Sequence, residues 1–203
     1  MKLVSIILFF VSTFFAYADN VNIKKGLPYV EVKDAGKIVR IKRTNRNSYL
    51  TNTFALTSRP SPPFFIQDFL VDDEVETFGE LEVLDFISHR EGLFIDARLK
   101  NWYTQSSIPS AINIPFKIFL SKSSERKKVL ERLGGFYKNK KWDFSKAKTI
   151  LLYCNGAWCG QSPTAIHALI KIGYPKSKMK YYRGGMQTWQ LLGLTTIVPK
   201  GKK

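Results

Sequence analysis

The chain has 203 residues, a formal net charge of +16 at pH 7 and 44% hydrophobic residues. That composition excludes a disordered chain, and the length predicts one main domain plus a small extra element. The charge draws anions, but its densest run, Ser121 to Lys148, has acidic residues interleaved, as a solvated face does; a basic rim that steers small anionic substrates, or adhesion to an anionic membrane surface, are the functional alternatives.

Lys2 precedes an apolar run, Leu3 to Phe15, and Ala16-Tyr17-Ala18 fits the small-x-small cleavage pattern. Residues 1–18 are therefore expected to be a signal peptide, cut near Ala18, which leaves Asp19 first and the protein periplasmic or secreted. The run is shorter than the roughly 20 residues a span needs, an uncleaved anchor being the alternative. Export disfavours nucleic acid as a partner.

Residues 19–76 read as a β-rich extension. Leu27 to Val32 and Lys37 to Arg43 are strand candidates around Lys33-Asp34-Ala35-Gly36, and the second alternates polar and apolar residues. Together they predict a hairpin, too thin to hold a core alone. Arg59 to Pro63 breaks regular structure.

Residues 77–198 alternate helix and strand. A helix is predicted over Glu80 to His89, with Leu81, Leu84 and Ile87 on its apolar face and Gly92 as the stop. Leu93 to Ile95 is a strand running into Asp96-Ala97-Arg98, and Ala111 to Pro115 is another. Ser124 to Leu133 is an amphipathic helix, Lys148 to Tyr153 a buried strand, and Pro163 to Ile172 a helix stopped by Gly173 and Pro175. Met179 to Tyr182 and Gly185 to Leu192 complete the alternation. The pattern predicts an α/β fold: a mostly parallel sheet with helices on both faces.

Both cysteines fall in one turn, Tyr153 to Pro163, YCNGAWCGQSP. A bridge closing so small a loop stabilises little, which points to chemistry. Cys154 follows the buried strand directly, and ligands of α/β sheets bind beyond the carboxyl ends of the strands. Gly156 and Gly160 allow unusual backbone angles, Ser162 is a favoured N-cap and Pro163 a favoured first helical residue. The turn thus predicts a nest of N–H groups at a helix N-terminus, which favours an anion and lowers the pKa of the Cys154 thiol.

Four segments in order resemble the rhodanese-like sulfurtransferases: Asp96-Ala97-Arg98; Ile108 to Pro115 (IPSAINIP); Tyr153-Cys154 with its glycine-containing loop; and Gly173-Tyr174 followed by Arg183-Gly184-Gly185 and Trp189. The resemblance covers about residues 77 to 195. It implies a single rhodanese-like domain in which Cys154, the catalytic nucleophile, carries a persulfide. The partners it implies are a small anionic donor such as thiosulfate and a thiol or cyanide-like acceptor, with no cofactor and no metal. Asn155, Gly156, Ala157, Trp158, Cys159 and Gly160 form the substrate loop, Arg183 stands at its mouth as an anion-binding candidate, and Asp96, Arg98 and Ser162 support it.

The chain departs from the family in having Ser107 and Ser110 at positions usually held by histidine and glycine. Its loop is also about two residues longer than the common sulfurtransferase loop. Longer loops belong to related phosphatases, whose motif needs arginine at position 160; glycine stands there. Cys159 has three readings: a thiol that resolves the persulfide, a guard against over-oxidation, or an inert loop residue. The first two imply a periplasmic thiol reductant. His167 falls on the helix after the loop, beside its apolar face, and reads as a surface or packing residue, while His89 closes the first helix, so a cysteine-protease pair is not indicated; two cysteines and two such histidines also fall short of the closely spaced ligands a zinc site needs. A non-catalytic module that binds a partner protein, or senses redox state through Cys154 and Cys159, is the alternative function.

Overall fold

The run TILLY carries no charge and is rich in large apolar side chains, so it is suited to a strand covered on both faces. In the computed structural model, which describes residues 21–44, 48–61 and 63–199, it forms the middle of the main sheet. The proposed signal peptide lies outside the described residues. Nine strands occur among them: β1 (Tyr29–Asp34), β2 (Lys37–Lys42), β3 (Glu76–Phe78), β4 (Leu93–Asp96), β5 (Ile112–Asn113), β6 (Phe136–Lys138), β7 (Lys141–Asp143), β8 (Ile150–Tyr153) and β9 (Met179–Tyr182). Six α-helices accompany them: α1 (Glu80–His89), α2 (Lys100–Gln105), α3 (Phe116–Leu120), α4 (Ser124–Arg132), α5 (Gln161–Lys171) and α6 (Gly185–Leu191).

The main sheet has the order β3-β9-β8-β4-β5 with every pairing parallel. Tyr153 at the end of β8 stands between Asp96 and Tyr182. Alternation along the strands divides the core. Phe94, Leu151, Tyr153 and Tyr182 pack with α1, α6 and the β1–β2 hairpin; Ile95, Ile150, Leu152 and Tyr181 pack with α3, α4 and α5. This is the expected α/β architecture.

Several local expectations are corrected. Leu81 is 45% exposed, and the buried face of α1 is instead Val83, Leu84, Phe86 and Ile87. The helix touches the hairpin as well as the sheet, which rotates its covered stripe. It ends at Arg90, in the left-handed region (φ 56°), before Gly92 is reached. The β6–β7 hairpin was not expected; its turn, Asn139-Lys140, lacks glycine although both residues take positive φ. The expected strand over residues 111–115 shortens to two residues.

Among the described residues of the extension before β3, the hairpin supplies the two strands, with isolated bridges at Lys24–Leu27 and Arg43–Leu194. β1 and β2 pair antiparallel, and Ala35 and Gly36 both take positive φ in the turn. Val32 and Ile41 enter the core. The turn also grips the main domain, since Ser110 donates from N to Asp34 Oδ1 (2.9 Å) and from Oγ to Lys33 O (3.0 Å). Ser110 sits at φ 77°, a region where glycine would rest without strain, and these two bonds hold it there. Beyond the hairpin the described chain forms a 3₁₀ turn, Thr53–Ala55, and then an irregular strap up to β3. Pro60 and Pro63, which supply no N–H for a ladder, stand at the start of this strap.

The other end of the chain is sewn to the same region. Thr195 N donates to Lys42 O (3.0 Å), and Ser107 and Ile197 exchange two backbone hydrogen bonds (2.8 and 2.9 Å). Among the described residues no helix is long and apolar enough to cross a membrane.

Candidate active site

β8 delivers Cys154 to the carboxyl edge of the sheet, beside the start of α5. What aims the strand is a buried polar set beneath it. The Tyr153 hydroxyl donates to Asp96 Oδ2 (2.8 Å), lies 2.9 Å from Ser107 Oγ and accepts from Ile108 N (3.2 Å). Asp96 in turn holds Arg98 through two side-chain bonds, Nε to Oδ1 (2.9 Å) and Nη2 to Oδ2 (2.6 Å). Both are closed to solvent. Burial alone would push the Arg98 pKa down, but the hydrogen bond and charge of Asp96 outweigh it and hold the guanidinium protonated. Asp96 and Arg98 thus brace the strand ends and lie one layer below the sulfur. Ser107 belongs to this set, its Oγ donating to Asp96 Oδ2 at 3.1 Å.

The Cys154 sulfur is met from several sides. Ser162 Oγ donates to it at 3.0 Å, and its own S–H points to Cys159 O at 3.0 Å. Burial pushes the thiol up; the Cys159 and Ser162 side chains and the N–H groups of Ser162 and Gly156 outweigh that and bring the pKa down to about 7. Cys159 moves the other way: burial, then the neighbouring Cys154 sulfur, keep it a thiol. Both cysteines are free, and Asn155 Nδ2 donates to Cys159 Sγ at 3.6 Å. Asn155 Oδ1 is buried without a partner among the described residues.

The loop differs from expectation in its helix start. The N-cap of α5 is Gly160, so Ser162 and Pro163 fall at the second and third helical positions. The serine hydroxyl is therefore turned onto the sulfur and does not cap the helix. Gly156 and Gly160 avoid positive φ, and Gly160 has ordinary angles (φ −79°, ψ 4°). Space explains Gly156, since a Cβ there meets Gln187 Oε1 at 3.1 Å and Trp158 Nε1 at 3.2 Å. The glycine that conformation requires is Gly185: at φ 56°, a Cβ would stand 2.5 Å from Cys154 O and 2.7 Å from Gly156 N. Its helix holds the loop from behind, as Met186 N donates to Cys154 O (3.1 Å) and Gln187 N to Asn155 O (2.9 Å).

The strap closes the front. Gln67 N donates to Ala157 O (2.8 Å), and Arg183 donates twice to Gln67 O (3.1 and 2.8 Å). Arg183 is thus engaged with the strap carbonyl. Trp158 donates from Nε1 to Gln187 Oε1 (2.7 Å), meets Phe64 edge-on (centroids 5.0 Å apart) and carries the Arg59 guanidinium on its face at 3.8 Å. Cys154 is left 2% exposed. Two hollows, of about 270 and 150 Å³, are lined by other residues; the first lies between residues 44–52 and the C-terminal segment. His167 bonds Val71 O (3.0 Å), well apart from base chemistry at the sulfur. Asp85, His89 and Glu91 bring ligand atoms within 4.8 Å of one another on the exposed end of α1, where His89 Nδ1 lies 3.1 Å from Asp85 Oδ1, one helical turn away.

Arg59, Phe64, Gln67, Gly185 and Gln187 were not foreseen as site residues. Aromatic residues set directly after a proline-rich break were the available sign of the strap, and the Gly-Gly of the last motif the sign of Gly185.

The rhodanese-like domain family model matches residues 81–192. The chain belongs to the rhodanese-like domain family, as its segment resemblance implied. Among solved structures it is similar to a rhodanese from Escherichia coli determined with anions (22% identity, 53% of this chain and 98% of that one, TM-score 0.35). A rhodanese-related protein from Thermoplasma volcanium gives 20% identity, coverage of 61% and 99%, and a TM-score of 0.44. A human single-domain sulfurtransferase gives 14%, 59% and 97%, and 0.42. No curated protein matches the chain.

Proposed function

We propose that the protein is an exported sulfurtransferase, periplasmic or secreted after cleavage near Ala18, that moves sulfane sulfur through a persulfide on Cys154. The observation that carries this is the Cys154 sulfur held by Ser162 Oγ at 3.0 Å at the start of α5, with its pKa lowered to about 7. A thiolate is the nucleophile of sulfur exchange, and the same donors favour the anionic persulfide.

With thiosulfate as donor, the Cys154 thiolate attacks the outer sulfur. The sulfur–sulfur bond of the donor breaks, and its electron pair leaves with sulfite. A thiophilic acceptor such as cyanide then attacks the outer sulfur of the persulfide, leaves as thiocyanate and restores the thiolate. No outside oxidant or reductant is consumed. The loop residues 155–160 surround the transferred sulfur, and Asp96, Arg98 and Tyr153 keep the strand end in place.

Intact mass spectrometry tests the reading. Incubation with thiosulfate should add the mass of one sulfur atom, which cyanide removes and Cys154→Ser abolishes. If no sulfane donor adds mass to the wild-type chain, sulfur transfer is wrong. The second reading, a partner-binding module, is favoured by one observation: Phe65, Ile66, Phe69 and Leu70 of the strap are all largely exposed. That outcome would favour it.

A further inference from the structure

The arginines around the loop differ in what they hold. Arg98 is committed to Asp96 and to Ser106 O, and Arg183 to Gln67 O. Among the described residues Arg59 donates one hydrogen bond, from Nη2 to Thr53 O. Its Nε–H is shut off from solvent and has no partner among the described residues. No carboxylate among the described residues forms an ion pair with it. Its plane is fixed nonetheless, because the guanidinium lies on the Trp158 indole, 3.8 Å from the ring centroid. Trp158 belongs to the same short loop as Cys154.

A cation held flat, partly desolvated and without a counter-ion is a preformed receptor for an oxyanion, since guanidinium edges match planar pairs of acceptor oxygens. Burial lowers the pKa of Arg59, and the charge of the Cys159 sulfur in the same loop opposes it.

We infer that Arg59, carried by the N-terminal extension, receives the oxyanion end of the sulfur donor at the rim of the Cys154 loop and selects for anionic donors. This rests on the sulfur-transfer reading for the word donor. Arg59 makes and breaks no bond in the reaction; it is a specificity residue that the extension supplies to the domain behind it.

Two measurements on the full mature chain separate the claims. The first is steady-state transfer from thiosulfate to cyanide. Arg59→Ala should raise KM for thiosulfate about tenfold, with kcat within about twofold, and Arg59→Lys should fall between, keeping charge but losing the flat fork. The second compares Cys154 alkylation by iodoacetate, an anion, with that by iodoacetamide, its neutral counterpart. The ratio of the two rates should fall about fivefold in Arg59→Ala, and the iodoacetamide rate reports whether the loop and strap remain seated. An unchanged ratio together with an unchanged KM overturns the inference. A fallen ratio in a protein whose wild type accepts no sulfur overturns sulfur transfer and keeps Arg59 as an anion site.

Discussion

Removing one hydroxyl, in Ser162→Ala, should decide how the Cys154 thiolate is made. The Ser162 Oγ–H donates directly to the sulfur at 3.0 Å, in a site closed to solvent. A hydrogen bond to a charged group contributes about 1.5–3 kcal/mol, and one pKa unit is worth about 1.36 kcal/mol. Its loss, leaving burial less opposed, should move the pKa up by about 1–2 units from its value of about 7. At pH 7 the thiolate then falls from about half of the molecules to between about a tenth and a hundredth, so alkylation of Cys154 slows about 5- to 50-fold. The assay is the pH–rate profile of iodoacetamide reaction, read at Cys154 by peptide mass spectrometry. The alkaline plateau should be unchanged and the midpoint shifted. A midpoint within a few tenths of a unit of wild type would refute the claim that this hydroxyl supports the anion.

The same shift predicts pH-dependent stability. The folded pKa of Cys154 lies below its unfolded value, so the contribution is present above about pH 8.5 and lost as pH falls through about 7; it amounts to about 2 kcal/mol and should be missing from the urea unfolding of Cys154→Ser. Asp96→Asn strands the buried Arg98 charge and should cost about 3–5 kcal/mol by denaturant unfolding, against about 1–3 kcal/mol for Tyr153→Phe, which removes a neutral hydroxyl from the same set. In Gly185→Ala the new Cβ meets loop backbone that has no flexible end to yield, so sulfur loading should be lost, with unfolding shifted by several kcal/mol, on the order expected for overpacking with strain. Phe64→Ala removes an aromatic contact of about 0.5–1.5 kcal/mol from the strap and should raise the plateau alkylation rate of Cys154 about 2- to 10-fold, with global unfolding nearly unchanged.

What could be read beforehand follows from what each feature depends on. β8 and β9 were legible because short apolar runs bounded by glycine, proline or charge leave little choice of structure. Cys154 was legible because a strand end followed by a helix is a local pattern. The helix start was misjudged by two residues because Ser162 had two hydrogen-bonding options, and the buried sulfur won over the cap. Leu81 was misassigned because periodicity locates a stripe but not the second layer, here the hairpin, that rotates it. The strap was illegible as a site because its contacts join residues about 90 or more positions apart, such as Gln67 with Ala157 and Phe64 with Trp158. Neither segment has a periodic pattern that announces the other. Gly185 looked like a motif letter until the carbonyl of Cys154 was seen against it.

One guanidinium joins the early and late parts of the chain. Arg43 donates from Nε to Leu192 O (2.8 Å) and from Nη1 to Asn22 O (3.4 Å), while its own residue bridges Leu194. The loop closed in this way ties the two edges of the rhodanese-like domain together like a drawstring. Trimming at the front therefore slackens the back: deleting residues 23–43, hairpin included, removes the partners of Leu192, Leu194 and Thr195, and so loosens the segment that pairs with Ser107 through Ile197, and with it the hydroxyl beside Tyr153 under the sulfur.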